Sequence, residues 1–143
     1  DADVTIWSGG DDHAAVVPRL LRHATARTAD PVAFVRETRI LPIALPNGLP
    51  ADIAFGQLPF EQEAIARAEP VQVAGYAVKV CGVADLILHK VLSERPRDQD
   101  DVRFLIGRYR DRLDRGRLDA QVASLADLLA RPDLLTRYRA CWG

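Results

Sequence analysis

Two acidic side chains at the start of the chain have a spacing that could hold a divalent cation. Residues 3–7 are rich in β-branched and aromatic side chains and predict a strand, and Asp1 and Asp3 lie at its beginning. Because side chains alternate across a strand, Asp1 and Asp3 point to the same face. Hard cations such as Mg²⁺ bind carboxylate oxygens and relieve the repulsion between them. The alternative is that both carboxylates are solvated residues at a strand end.

A third carboxylate, Asp52, lies in an apolar strand predicted over residues 51–55. A charged residue between Ala51 and Ile53 is either exposed or functional. If this strand is a neighbour of the first, we expect its carboxylate to converge with the acid pair. The three carboxylates would then form one acidic cluster.

The strands that position this cluster follow from residue patterns. Residues 38–44 and 51–55 predict a hairpin-like pair, because Pro46-Asn47-Gly48 between them is a turn signal. Pro42 weakens the first of these strands and suggests an edge strand or a bulge. Asp12 is one of two aspartates that could cap the helix after the first strand.

The order of elements predicts an α+β fold. Strands mixed with helices come first, and a run of helices follows. We therefore expect a small mixed β-sheet backed by helices, with a helical C-terminal part. Residues 1–82 are assigned to the sheet core with its packed helices, and residues 83–143 to the helical C-terminal part of the same domain.

Composition narrows the classes of function. The chain has 143 residues, of which 48% are hydrophobic, enough for a full core without a structural metal or disulfides. The net charge of -1 argues against nonspecific nucleic-acid binding, which needs surplus Lys and Arg. A local basic stretch at residues 103–117 is more often a solvated helix face, although it could help a tRNA to dock.

The compartment is expected to be the cytoplasm, with no membrane partner. No run approaches the roughly 18 apolar residues of a membrane span, and no signal-peptide pattern opens the chain. Cys81 and Cys141 lack metal-ligand spacing and suggest a reducing environment. The chain holds no methionine and begins inside a predicted strand, so we expect it to be part of a longer protein.

A second set of charged residues lies in residues 84–106. Lys90 follows Leu86 by one helical turn, so its ammonium group must snorkel, pair or reach a ligand such as phosphate. Arg97 could pair locally or bind phosphate with its forked guanidinium. Asp98 and Asp101 lie one turn apart and share a helix face. Their alternative role is capping and ion pairing that tie the helical half to the sheet.

The order of acid-x-acid strand, helix, strand, turn and strand with one Asp resembles the nucleotidyltransferase superfamily that includes DNA polymerase beta and the aminoglycoside nucleotidyltransferases. More narrowly, the chain resembles small bacterial proteins related to the abortive-infection toxin nucleotidyltransferases. The similar segments are residues 1–6, 49–55 and 84–106. Residues beyond 106 carry no matching motif.

This resemblance implies an enzyme that transfers a nucleotidyl group from an NTP to a hydroxyl of a protein, a tRNA or a small molecule. It implies Mg²⁺ or Mn²⁺ as the cofactor. The roles that it implies are metal binding and catalysis by Asp1, Asp3 and Asp52, phosphate binding by Lys90 and Arg97, and support from Asp98 and Asp101.

One feature of the family is missing from the sequence. Its glycine-rich phosphate-binding turn precedes the acid pair, whereas Ser8-Gly9-Gly10 follows Asp3 here. If the longer protein also lacks this turn, the departure favours an alternative, in which the chain is a catalytically degenerate member of the fold; if the chain is only a fragment, the departure has less force. Such a protein would act as a binding module or as one component of a toxin–antitoxin pair.

Overall fold

The computed structural model describes residues 2–9 and 12–143, which form two compact units that meet in sequence at Arg67 and Ala68. The first unit combines a four-stranded sheet with helices, and the second combines a two-stranded sheet with a run of helices. The predicted α+β class with a mixed sheet is confirmed. The hairpin of residues 69–80, which sequence analysis grouped with the sheet core, belongs by its contacts to the second unit.

The first unit is built around strands in the spatial order β1-β4-β3-β2. Strand β1 runs parallel to β4, and the β4–β3 and β3–β2 pairs are antiparallel. In sequence order the elements are β1 (Ala2–Ile6), α1 (His13–Leu20), β2 (Thr25–Ala26), α2 (Pro31–Thr38), β3 (Ile40–Ala44), β4 (Pro50–Phe55) and α3 (Pro59–Arg67).

The predicted hairpin of β3 and β4 is confirmed, and its turn has the expected chemistry. Gly48 adopts a φ of 82°, a conformation that glycine tolerates without steric cost. The Asn47 side chain accepts a hydrogen bond from the backbone N–H of Leu49 at 3.1 Å. These local contacts fix the register in which Leu41 faces Ile53.

The hydrophobic core lies on one face of the four-stranded sheet. Its alternate strand residues are buried with one side chain from α1 and one from α2, because helices cover this face. The buried set is Val17, Val35, Leu41, Ile43, Ala51, Ile53 and Phe55. Residues between these in each strand, such as Asp52, must point to the opposite face.

The structure corrects the expectation for Pro42. This proline lies in an interior strand, β3, and the register passes through it without a bulge. Its carbonyl accepts a hydrogen bond from the backbone N–H of Arg27 at 2.9 Å, so its own missing N–H falls on the β2 side. Since β2 ends at Ala26, the proline costs the sheet little where it stands.

The second unit comprises a hairpin and helices that bury their own apolar residues. Its elements are β5 (Glu69–Val73), β6 (Tyr76–Val80), α4 (Val83–Leu92), α5 (Pro96–Tyr109), α6 (Arg115–Leu128) and α7 (Asp133–Ala140). Every residue of both strands is exposed. The side chains less than 2% exposed come from the helices and include Ile87, Leu88, Val91, Val102, Ile106, Leu118, Leu134 and Tyr138.

Sequence signals account for where these helices begin. Pro96 occupies the first turn of α5, where its missing N–H costs nothing. The carboxylate of Asp114 accepts from the backbone N–H of Arg117 at 2.9 Å and caps α6. In the first unit, Asp12 and Asp30 cap α1 and α2 in the same way.

The arginines of the basic stretch are partly used in packing. The guanidinium groups of Arg110 and Arg115 lie 5.7 and 4.9 Å from the centre of the buried Trp142 ring. Arg110 also donates a hydrogen bond to the Trp142 carbonyl. Cation–π contact with a desolvated ring is stabilising, so two of these cations serve the fold.

Within the described ranges, no helix has the length and apolar composition needed to cross a membrane.

Candidate active site

The carboxylates of Asp3 and Asp52 share the face of the first sheet opposite the hydrophobic core. Asp3 and Asp52 are register partners in the parallel β1–β4 pair. Neighbouring strands lie about 4.8 Å apart, and register partners point to the same face. The flanking residues Ala51 and Ile53 face the core, which fixes Asp52 outward. The structure therefore brings together two of the three predicted acidic residues. Asp1 lies outside the described residues.

Both carboxylates are accessible to solvent. Asp3 is exposed, and the Asp52 side chain is 46% exposed. Thr5, two residues after Asp3 in β1, presents a hydroxyl to the same face. An open strand face with two acids and a hydroxyl leaves room for a ligand beside the carboxylates.

Arg27 is a functional candidate that sequence reasoning missed. It directly follows β2, and its Nη1 lies 3.8 Å from Oδ1 of Asp52. Both side chains are about half exposed, so the attraction between them is weak. A two-residue strand gives no periodic pattern, and only the β2–β3 pairing brings Arg27 across the sheet. Among the described residues, Asp3 and Asp52 give this face negative charge and Arg27 gives it positive charge.

The donor set of this face fits a hard divalent cation. Mg²⁺ usually takes one or two carboxylates and completes its shell with phosphate and water oxygens, which Asp3 and Asp52 can satisfy. Across residues 2–9 and 12–143, no group of three or more His, Cys, Asp or Glu side chains could hold a metal ion. A cation bound here would therefore take most of its coordinating oxygens from phosphate and water.

The second unit holds the other predicted constellation. The Lys90 Nζ donates to Asp98 at 3.0 Å and to Asp101 at 2.5 Å. Ser93 Oγ donates to the second oxygen of Asp98 at 2.6 Å. Because Lys90 belongs to α4 and both acids belong to α5, these bonds fasten the two helices together. The sequence raised ion pairing as an alternative role for these acids. It suggested a link between the helical half and the sheet, whereas the observed ion pairs link two helices.

These contacts shift the ionisation of the cluster. Burial would lower the pKa of Lys90, but hydrogen bonds and charge attraction from Asp101 and Asp98 outweigh it and raise this pKa. Hydrogen bonds from Ser93 and Lys90 hold the pKa of the Asp98 carboxyl below its ordinary value. The groups are thus charged across the neutral range and attract each other.

Arg97 and Asp85 also lie within residues 84–106. Arg97 is exposed in the first turn of α5 and forms no ion pair with a described residue. Asp98 pairs with Lys90 rather than with its sequence neighbour Arg97. Asp85 is only 5% exposed and lies in the first turn of α4, where Gly82 occupies the N-cap position. Arg97 is consequently the more accessible of the two predicted phosphate-binding cations.

A scan against protein-family models finds no match for this chain, and a search of curated proteins finds none.

Proposed function

We propose that the protein is a metal-dependent nucleotidyltransferase whose catalytic face carries Asp3 and Asp52. One observation carries the proposal: the two acids are register partners on the exposed face of a mixed sheet. The order of acid-x-acid strand, helix and later acidic strand, which the sequence shares with the nucleotidyltransferase superfamily, supports the same assignment. The resemblance extends the acidic cluster to Asp1.

The proposed reaction is transfer of a nucleotidyl group from an NTP to a hydroxyl acceptor. The acceptor oxygen forms a bond to the α-phosphorus, the bond from that phosphorus to the bridging oxygen breaks, and pyrophosphate leaves. Bound Mg²⁺ or Mn²⁺ would supply positive charge for the phosphate oxygens. In this proposal Asp52 accepts the acceptor's hydroxyl proton, and Asp3 holds the cation.

Arg27 has a natural place in this proposal. Its guanidinium already lies beside Asp52 on the catalytic face. Guanidinium groups bind phosphate oxygens in a forked geometry, so Arg27 can exchange its weak contact with Asp52 for a contact with phosphate. It would then neutralise part of the negative charge of the phosphate.

The contacts of Lys90 and Arg97 in the second unit support phosphate binding to different degrees. Lys90 must leave two carboxylates before it can bind phosphate, which costs two charge-assisted hydrogen bonds. Arg97 is exposed and has no such cost. We therefore assign phosphate binding in this unit to Arg97 first, with Asp98 and Asp101 positioning Lys90.

A second candidate is a catalytically degenerate protein that acts as a binding module or toxin–antitoxin component. The contact between Arg27 and Asp52 favours it, because a cation lies beside one of the two carboxylates that a metal ion would need. The enzyme proposal also includes the acceptor class, which is a protein, a tRNA or a small molecule. It includes a cytoplasmic location, because thiols such as Cys81 stay reduced there.

The proposal is tested by incubating the protein with α-³²P-labelled NTPs, Mg²⁺ or Mn²⁺ and a cell extract. We expect label to appear on a protein, an RNA or a small molecule only when the divalent ion is present. Asp3→Asn and Asp52→Asn keep the side-chain shape and should each reduce transfer at least a hundredfold. Glu37→Gln, an exposed acid on α2 of the same unit, is the matched control and should leave transfer unchanged.

Binding of the metal alone separates the two candidates. Paramagnetic Mn²⁺ should broaden the backbone amide signals of residues around Asp3 and Asp52 in the wild type and not in the two asparagine variants. Broadening without label transfer from any NTP would support the degenerate binding module. If the amide signals are not broadened and no label is transferred, the enzyme proposal is wrong.

A further inference from the structure

A cleft of about 630 Å³ opens on the helix-covered side of the first sheet. Its floor is apolar and comes from Ile6, Val16, Ile43 and Ile53, which belong to β1, α1, β3 and β4. The volume lies within the range of about 300–1,000 Å³ in which small-molecule pockets fall. A small organic ligand therefore fits it in size.

Trp7 lines the cleft, and its indole packs against a glycine. Trp7 follows β1 and is partly exposed in the cleft. A methyl group added at the buried Gly56 would lie 3.3 Å from Cε3 of the indole, so the ring already packs against that backbone. Gly56 donates its N–H to the Ile6 carbonyl at 2.9 Å, which keeps this backbone close. The indole is thus a preformed flat surface for stacking.

The rim of the cleft is positively charged. Arg19, Arg22 and His23 line it from the end of α1 and the turn that follows. Neither arginine forms an ion pair with a described residue, whereas Arg36 on α2 pairs with Asp12 at 3.8 Å. Two guanidinium groups above an apolar floor are a favourable place for an anion.

The cleft is separate from the carboxylates of the candidate active site. Ile6 and Ile53 point to the core face of the sheet, while Asp52, the neighbour of Ile53, points to the other. The residues that line the cleft include Trp7 and both arginines and do not include Asp3 or Asp52.

We propose that this cleft binds a small aromatic anion: a flat ring system on the floor and against Trp7, with one phosphate or carboxylate group between Arg19 and Arg22. The inference does not depend on the proposed nucleotidyl transfer, because it rests on the opposite face of the sheet. It assigns the unit a second ligand site.

The test is calorimetric titration with 1-naphthyl phosphate, compared with 1-naphthalenemethanol and inorganic phosphate. We expect the naphthyl phosphate to bind at least tenfold more tightly than either, since only it uses both the floor and the rim. In ¹H–¹⁵N spectra it should shift the indole N–H signal that is absent from Trp7→Phe. Equal binding of the neutral alcohol or of phosphate alone would overturn the proposal, as would shifts centred on Asp3 and Asp52.

Charge variants locate the anionic group. Arg19→Gln and Arg22→Gln should each weaken the binding of naphthyl phosphate about tenfold, the value of one charge-assisted contact. Arg36→Gln removes the same charge from the same unit, away from the cleft, and should change binding less than twofold. All three residues are exposed, and circular dichroism checks that the fold is kept. If Arg36→Gln weakens binding as much as the cleft variants, the assignment of the anion to the rim is wrong.

Discussion

The guanidinium of Arg27 lies 3.8 Å from the carboxylate of Asp52, in a contact that crosses the antiparallel half of the sheet. Removing this cation should strengthen divalent-ion binding at the catalytic face, because a positive charge beside Asp52 repels a bound metal ion. For Arg27→Gln we expect Mn²⁺ affinity to rise about two- to fivefold, in line with the small energy of an exposed ion pair.

The measurement is Mn²⁺ titration followed by electron paramagnetic resonance. Arg22→Gln removes an arginine from the same unit on the other side of the sheet and should leave Mn²⁺ affinity unchanged. Lower Mn²⁺ affinity in Arg27→Gln would mean that Arg27 organises the carboxylates rather than competing with the metal.

The link between α4 and α5 predicts a stability cost for Lys90→Met. The substitution leaves Asp98 and Asp101 without their shared cation and should lower the free energy of unfolding by about 1–2 kcal/mol. Urea denaturation measures this change. Asp100→Asn breaks the exposed pair between Asp100 and Arg103 and should cost less than about 0.5 kcal/mol. Equal costs for the two variants would contradict a special role for Lys90.

The stability difference between wild type and Lys90→Met should depend on pH. The lowered pKa of Asp98 means that its contribution is fully present above the ordinary carboxyl value near pH 4 and is lost as pH falls through the lower, folded value. The raised pKa of Lys90 means that its contribution persists to about pH 10 and is lost above that. We therefore expect a plateau between about pH 5 and 10, with the difference shrinking in acid. A difference that is constant down to pH 2 would be inconsistent with the ion pair.

The packing of Trp7 on Gly56 predicts opposite effects for two alanine substitutions. In Gly56→Ala the new methyl group lies 3.3 Å from the indole, and the ring must shift, at a cost of about 1 kcal/mol. Gly107 is exposed in α5 with no atom within 4 Å of an added methyl group, so Gly107→Ala should stabilise by up to about 1 kcal/mol. Thermal unfolding measures both, and the binding of naphthyl phosphate should weaken only in Gly56→Ala.

The two thiols should differ in reactivity. Cys141 is buried, which raises the pKa of its thiol, and thiolates are the reactive form. Cys81 is exposed. With a disulfide reagent at neutral pH, Cys141→Ser should react at least ten times faster than Cys81→Ser in the folded state. In denaturant the two variants should react at similar rates, which controls for the reagent itself.

Local chemistry let the sequence predict much of the fold. Pro46-Asn47-Gly48 specified the turn between β3 and β4, and Pro96 marked the start of α5. Asp3 and Asp52 were expected to lie together if their strands were neighbours, and the parallel register of β1 and β4 meets that condition. These features depend on residues that are close in sequence or on strict alternation along a strand.

Features that depend on distant contacts were missed. Arg27 reaches Asp52 only because the two-residue strand β2 joins the sheet, and two residues carry no periodicity. Pro42 was expected at an edge strand or a bulge, but it lies in an interior strand, where its missing N–H is on the β2 side. The cleft beside Trp7 depends on its packing against Gly56, a pair separated by most of the first unit. Three-dimensional proximity sets each of these.

The strict alternation of β4 has a consequence for how such a chain can change over generations. Asp52 and Ile53 are adjacent, yet they serve opposite sides of the sheet. Substitutions can therefore alter one side while leaving the other intact. Deleting or inserting one residue in β4 before Asp52 would turn each following side chain to the opposite face of the sheet. The Asp52 carboxylate would be buried, and core residues such as Ile53 would be exposed. Lineages that keep this unit folded should thus tolerate many replacements in the strand and very few changes in its length.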